Sequence, residues 1–191
     1  VLMKPVEGKY HYLFGDDFLI APIYQDSLTR EVCLPPGRWR YWFDDTKVIE
    51  GPTTFTRDFP LAEYPAYVRD GAIIPMKISR SYTGIGAEDW APYLTLNIFP
   101  HKISEFTVHH TDRSGELRVR VEDGNPVCIT LDGEAKPHLL RVRLDQSPAR
   151  ISRDGLPLDA GSWSWIPESN RLIVKSDTPV SGNYDIYFDK P

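Results

Sequence analysis

Two cysteines in 191 residues are too few to staple a chain of this size, and it is long enough to bury a core without them. Cys33 and Cys128 each lie in an apolar, strand-like stretch and read as buried, reduced thiols. No uninterrupted apolar run is long enough to span a bilayer. There is no excess of positive charge either: 22 Lys and Arg against 27 Asp and Glu leave a formal charge of −5, which gives no field for collecting phosphates and argues against nucleic acid or membrane partners. No Asn-x-Ser/Thr acceptor occurs, and Val1 to Tyr10 lacks the basic-then-apolar pattern of a secretory leader, an absence without meaning if the chain is a piece of a longer one. Long helical windows are missing as well, because 17 prolines spread along the chain interrupt them while sparing segments of strand length. The one short helical candidate is Lys9 to Leu13.

What is present is alternation with period two, the mark of strands with one face in a core. Leu94, Leu96 and Ile98 alternate with Thr95 and Asn97, and Leu117, Val119 and Val121 with Arg118 and Arg120. Leu140, Val142 and Leu144 are separated by Arg141 and Arg143, and Tyr184, Ile186 and Phe188 by Asp185 and Tyr187. Turn signals fall between such rows at Arg113-Ser-Gly115, Glu122-Asp-Gly-Asn125, Leu131-Asp-Gly133, Arg153-Asp-Gly155 and Ser181-Gly-Asn183. Short strands joined by such turns predict an all-β chain of two antiparallel β-sandwiches. The alternation gives way to polar and glycine residues between Lys77 and Trp90, so the expected domains are 1–77 and 78–191.

Candidate chemistry is sparse. Hydrolysis by a pair of carboxyl groups needs the two to face each other across the bond that breaks. Asp16 with Asp17, Asp44 with Asp45 and Glu122 with Asp123 are sequence neighbours whose side chains diverge in extended chain, so turn capping and solvated charge account for them. His109 and His110 diverge in the same way, and His11, His101 and His138 hold no ligand spacing to them. Loop oxygens around Asp112 or Asp123 are the one candidate for a structural Ca²⁺, and no dinucleotide, P-loop or nucleophile-elbow pattern points to a cofactor. Trp39 and Tyr41 share one strand face with Trp42 on the other, and Trp163 and Trp165 share a face across Ser164. Such rings fill cores and interfaces, and the second pair is also the candidate platform for stacking on a sugar ring.

Three segments carry a family likeness in order: Phe14 to Ile23 (FGDDFLIAPI), Leu34 to Phe43 (LPPGRWRYWF) and Tyr64 to Pro75 (YPAYVRDGAIIP). The series resembles the exit from the catalytic barrel of glycoside hydrolase family 31 into the β-sandwich that follows it. The likeness covers roughly the first two fifths of the chain. Gly15, Asp16, Asp17, Pro22, Pro35, Gly37, Trp39, Gly71 and Pro75 are the structural residues of those motifs. The resemblance implies the non-catalytic C-terminal domains of a retaining α-glucosidase or α-xylosidase, needing no redox cofactor, whose partners are its own catalytic barrel and, for the parent enzyme, a carbohydrate. In that reading Phe18 to Ile23 and Ile73-Ile74 close the base of the proximal sandwich and brace the barrel. The family's aspartate nucleophile sits in a Trp-x-Asp-Met-Asn-Glu-type segment that does not occur here, and Glu88-Asp89-Trp90 does not replace it. The family's Tyr-x-Asp-Asp-Gly-like turn has only loose counterparts at Thr111 to Gly115 and Val121 to Gly124. The residues alone leave two other readings open, a carbohydrate-binding module using Trp163 and Trp165 and an immunoglobulin-like protein-binding scaffold.

Overall fold

A computed structural model describes residues 3–76 and 92–189, which form an all-β chain with one 3₁₀ turn, Pro167–Ser169, among them. The expected boundary segment from Lys77 to Trp90, with Glu88-Asp89-Trp90, lies outside the described residues. Two compact units divide between Asp70 and Gly71, ahead of the boundary expected at Lys77.

The proximal unit is one six-stranded antiparallel sheet. Its strands are β1 (Met3–Pro5), β2 (Tyr12–Phe14), β3 (Phe18–Ile20), β4 (Thr29–Tyr41), β5 (Asp44–Asp58) and β6 (Ala66–Arg69), in the order β1-β2-β3-β6-β4-β5. Pro35-Pro36-Gly37 does not break the chain as a turn. It forms a bulge inside the long strand β4, with register shifting between Leu34 and Gly37, and such bulges bend a strand. The bend brings the first half of β4 back onto the segment before β2, where the Cys33 N–H donates to His11 Nε2 at 3.1 Å and Arg30 donates to the Lys9 carbonyl. The residues from Lys9 to Leu13 therefore end in a strand, not a helix. Leu19, Val32, Leu34, Trp39, Tyr41, Phe59 and Tyr67 fill the enclosed core. Only one face of the segment after the Gly15 turn is sealed: Leu19 and Ala21 are fully buried while Phe18, Ile20 and Pro22 are half-buried.

On the opposite face of β4, Asp70 accepts from Arg38 Nε at 3.0 Å and from Arg40 Nε at 2.5 Å. Arg40 is 5% exposed and Asp70 6%, so the aliphatic core is backed by a buried ion cluster.

The distal unit is a true sandwich. One sheet orders β14-β13-β17-β11-β10-β9 and the other β15-β16-β12-β8-β7. The first contains β9 (Ile103–His109), β10 (Glu116–Glu122), β11 (Val127–Gly133), β13 (Arg150–Arg153), β14 (Leu156–Pro157) and β17 (Gly182–Tyr187). The second contains β7 (Ile73–Met76), β8 (Leu94–Ile98), β12 (His138–Arg143), β15 (Trp163–Ile166) and β16 (Arg171–Ser176). Among the described residues every pair is antiparallel except β8 with β12, which is parallel. The expected inward rows meet between the sheets: Leu117, Val119 and Val121 from β10, Leu96 and Ile98 from β8, Leu140 and Val142 from β12, and Tyr184 and Ile186 from β17. Thr95 and Asn97 are sealed too, so β8 is covered on both faces.

Three of the five expected turns join neighbouring strands: Arg113 to Gly115 links β9 to β10, Glu122 to Asn125 links β10 to β11, and Asp154-Gly155 links β13 to β14. Asp154 and Gly155 both have positive φ, 50° and 79°, as a two-residue hairpin of this kind requires. The other two signals are not hairpins. Asp132-Gly133 ends β11 while still paired to Arg118 and Leu117, and Gly182-Asn183 already belongs to β17, because at both places the chain changes sheet. Ile73 also departs from expectation. It pairs with Ile98 and is buried in the distal core, so it does not close the proximal sheet.

A polar pair joins the two distal sheets through their core. His138 on β12 is fully buried; its Nε2 lies 2.8 Å from the Tyr184 hydroxyl on β17 and its Nδ1 2.8 Å from the Lys136 carbonyl. That network fits a neutral imidazole with its proton on Nδ1 and the phenol donating to Nε2. Burial first, then nearby Arg153, holds the His138 pKa below the ordinary value, and burial and Arg30 do the same for His11. Above the unfolded-state value near 6.5 both states are neutral and stability is complete. As pH falls below it the unfolded chain takes up protons that the folded chain refuses, so stability is lost toward acid. The urea midpoint of the distal unit is expected to fall between pH 7.5 and 5.5, and to fall less in His138→Gln.

Candidate docking face

The proximal family-motif residues have individual mechanical tasks. Gly15, with φ of 68°, opens the three-residue turn Gly15-Asp16-Asp17 from β2 to β3, and Asp16 pairs with Lys4 of β1. Pro35 turns its carbonyl to accept from Trp39 Nε1 at 2.9 Å, which ties the bulge to the core indole. Gly37, with φ of 135°, occupies the bulge beside that indole, and Trp39 is fully buried. Pro22 follows β3 and lines a cleft. Gly71 and Pro75 belong to the distal unit. Gly71 takes φ of 97° and donates to the Phe99 carbonyl at 2.7 Å, and Pro75 stands on the sheet's edge strand β7, where a missing N–H is tolerated.

The proximal unit carries large apolar side chains in solvent. Leu61 is 91% exposed, Tyr64 54% and Leu28 46%, and these three rim a cleft of about 890 Å³ with Ile20, Pro22 and Ile23 along its wall. Phe43 lies edge-on to Tyr64, with ring centroids 5.7 Å apart. The cleft's charged groups are Asp26 and Glu63, and Glu63 accepts from the Tyr41 hydroxyl at 2.7 Å. Contiguous exposure of this kind marks a surface that another surface covers. Leu61 gave no periodic signal in the sequence, since it stands in a proline-bounded loop. Its one cue was an aliphatic residue where turn chemistry needs none.

Nothing in these groups assembles a hydrolytic pair. Asp16 is engaged by Lys4, Asp44 caps Thr46 at 2.7 Å, and Glu122 pairs with Arg120 at 2.9 Å. Asp17 is half-buried, and that burial raises its pKa against the opposing field of Arg69. His109 turns to Glu116 and His110 to the Glu134 carbonyl. The Asp112 carboxylate is taken by Lys136 and Ser114, which hold its pKa well below the usual range. Among the described residues no three His, Cys, Asp or Glu side chains converge on a point. Cys33 is buried and Cys128 half-buried, both are free thiols, and burial pushes the Cys128 thiol up to about 11.

Trp163 and Trp165, the candidate sugar platform, pack against the distal core from edge strand β15 and are half-buried. Their inward faces are spent on Leu, Ile and Val neighbours, which is the filling role of such rings.

The glycosyl hydrolase family 31 C-terminal domain model matches residues 5–74, the whole proximal unit apart from its first residues. Residues 5–74 belong to that family. Relatives of this family 31 region include an α-glucosidase of Mucor javanicus, 34% identical over 94 residues that make up 46% of this chain and 11% of the relative. An α-xylosidase of Saccharolobus solfataricus is 28% identical over 102 residues, 53% of this chain and 14% of that protein. The chain thus spans only a small part of the curated relatives it matches. The fold of a family 31 dextranase from Flavobacterium johnsoniae matches 93% of this chain and 26% of that one, with a TM-score of 0.78 at 21% identity. The chain thus shares the β architecture of that dextranase, and although the family model ends at residue 74, the aligned lengths of both relatives exceed the proximal motifs.

Proposed function

We propose that this chain is the non-catalytic C-terminal region of a retaining α-glycosidase and that its proximal sheet braces the catalytic barrel. The observation that carries the reading is the exposed Leu61, Tyr64 and Leu28 rim on the same unit that matches the family. A rim of this size in water is unfavourable for a free-standing domain and gains stability when covered, about 25 cal/mol for each Å² of apolar surface removed from water. The reaction of the parent enzyme is hydrolysis of an α-linked glucoside or xyloside with retained configuration, catalysed by carboxylates of the barrel. The chain contributes a rigid seat to that site and no reacting group.

Two measurements test this. The purified 191-residue chain should turn over neither an aryl α-glucoside nor an aryl α-xyloside, and sustained turnover by it would overturn the reading. Leu61→Asp should leave the isolated chain within about 0.5 kcal/mol of its original stability, since the side chain already stands in solvent. In the longer polypeptide the same change should lower both thermal stability and glycosidase activity. An unaffected long polypeptide would remove the docking face from the argument.

A further inference from the structure

The last row of the proximal core ends in groups that the domain does not use. Trp39 on β4 and Arg69 on β6 are register partners. Phe18 pairs with Val68, and the Arg69 N–H donates to the Asp17 carbonyl at 2.9 Å, so Asp17 stands across from Arg69 on the other side. Asp17, Arg69 and Trp39 therefore follow one another from the turn before β3 across β6 and β4. Arg69 lies with its guanidinium carbon 4.7 Å from the centre of the Trp39 ring, in the space left open by Gly37. A methyl group at Gly37 would come to 3.6 Å from Arg69 Nε.

Stacking on an indole satisfies the face of a guanidinium and leaves its edge, with its N–H donors, unspent. Arg69 Nε is sealed from solvent without an acceptor, and among the described residues none accepts from its terminal nitrogens. The Asp17 carboxylate opposite likewise has no hydrogen-bond or ion-pair partner within reach among the described residues. A half-buried donor and a half-buried acceptor, side by side and both unspent, are costly to leave unpaired unless something else completes them. The two charges cancel, so neither an anion nor a cation is favoured over a neutral group that accepts from one and donates to the other.

Resting on the docking reading above, we infer that Asp17 and Arg69 form a polar socket that takes an amide group from the catalytic barrel of the same polypeptide, its carbonyl accepting from Arg69 and its N–H donating to Asp17. The indole beneath fixes the direction of the guanidinium before the amide arrives, which lowers the ordering cost of docking. The socket sets where the barrel sits, and the apolar rim supplies the area.

The test compares each variant in the isolated chain and in the longer polypeptide. Arg69→Met keeps the apolar stem over Trp39 and removes the donors; Asp17→Ala removes the acceptor, and Asp17→Asn restores an acceptor oxygen. Arg69→Met and Asp17→Ala should leave the isolated chain's melting temperature unchanged or slightly raised, lower that of the longer polypeptide by several degrees, and be less than additive there. Asp17→Asn should recover most of the loss. An equal loss in both forms would assign the pair a role internal to the sheet, and no loss in either would mean that nothing docks on it. Both results overturn the inference. Leu61→Asp separates the two levels: if it weakens the longer polypeptide while Arg69→Met does not, the socket is wrong and the docking reading stands; if Leu61→Asp also has no effect, the docking reading fails.

Discussion

Gly51→Ala is expected to cost the proximal unit about 3 kcal/mol and to leave it largely unfolded in moderate urea. A Cβ on Gly51 would fall 2.0 Å from the Pro35 carbonyl oxygen and 2.9 Å from its carbon, and both are backbone atoms that no rotamer change can move. Relief requires the bulge of β4 to shift, and the Pro35 carbonyl is the acceptor that holds the fully buried Trp39. The damage thus passes from an edge strand into the centre of the core. Urea titration followed by tryptophan fluorescence measures the loss. Gly161→Ala is the control, since nothing lies within 4 Å of a Cβ built there, and it should change stability by less than about 0.5 kcal/mol. Equal stability of the two variants would refute the clash.

Asp70→Ala should be as severe, about 3–5 kcal/mol, through electrostatics instead of sterics. Asp70 accepts from both Arg38 and Arg40, and Arg40 keeps little contact with water, so losing the carboxylate takes a directly bonded negative charge away from a buried guanidinium. Arg40 Nη1 also donates to the Asp45 carbonyl at 2.9 Å, a contact that the substitution leaves in place. Removing the charge as well, in Arg40→Met with Asp70→Leu, should recover a large part of the loss. If the double variant is less stable than Asp70→Ala alone, the desolvated charge is not the cause.

The core rows could be read in the sequence because period two in Leu117, Val119 and Val121 or in Leu140 and Val142 has one structural solution. The same period, carried back one step from Leu140, points inward at His138, and a polar residue in that position was the available sign of the Tyr184 pair. Turn chemistry was less informative. Asp154-Gly155 and Asp132-Gly133 present the same dipeptide, yet one closes a hairpin and the other ends a strand whose successor lies in the opposite sheet, and the choice rests on core contacts far along the chain. Pro35-Pro36-Gly37 has the residue types that suit a turn. Pairing with β5 on both sides of it makes it a bulge instead. Ile73 and Ile74 could have served either unit until Leu94 to Ile98 supplied the partner. Of the docking face, the motif residues were visible and Leu61 was not, since an exposed side chain leaves no periodic trace. Arg69 was part of a motif already noticed, and its lack of acceptors becomes apparent only when the neighbours across β3 and β4 are in place.

Among the described residues the outermost strand of the proximal sheet is β5, which runs from Asp44 to Asp58 and pairs on one side with β4. Its other margin is a ready template for accretion by any extended chain, and a second molecule's β5 is the nearest such chain in a concentrated solution. Pro52 stands at mid-strand with no N–H to offer, and Lys47, Glu50 and Arg57 distribute charge to both sides of it. These residues act as gatekeepers. Substituting Pro52 and neutralising Lys47 would remove two of the guards on that margin.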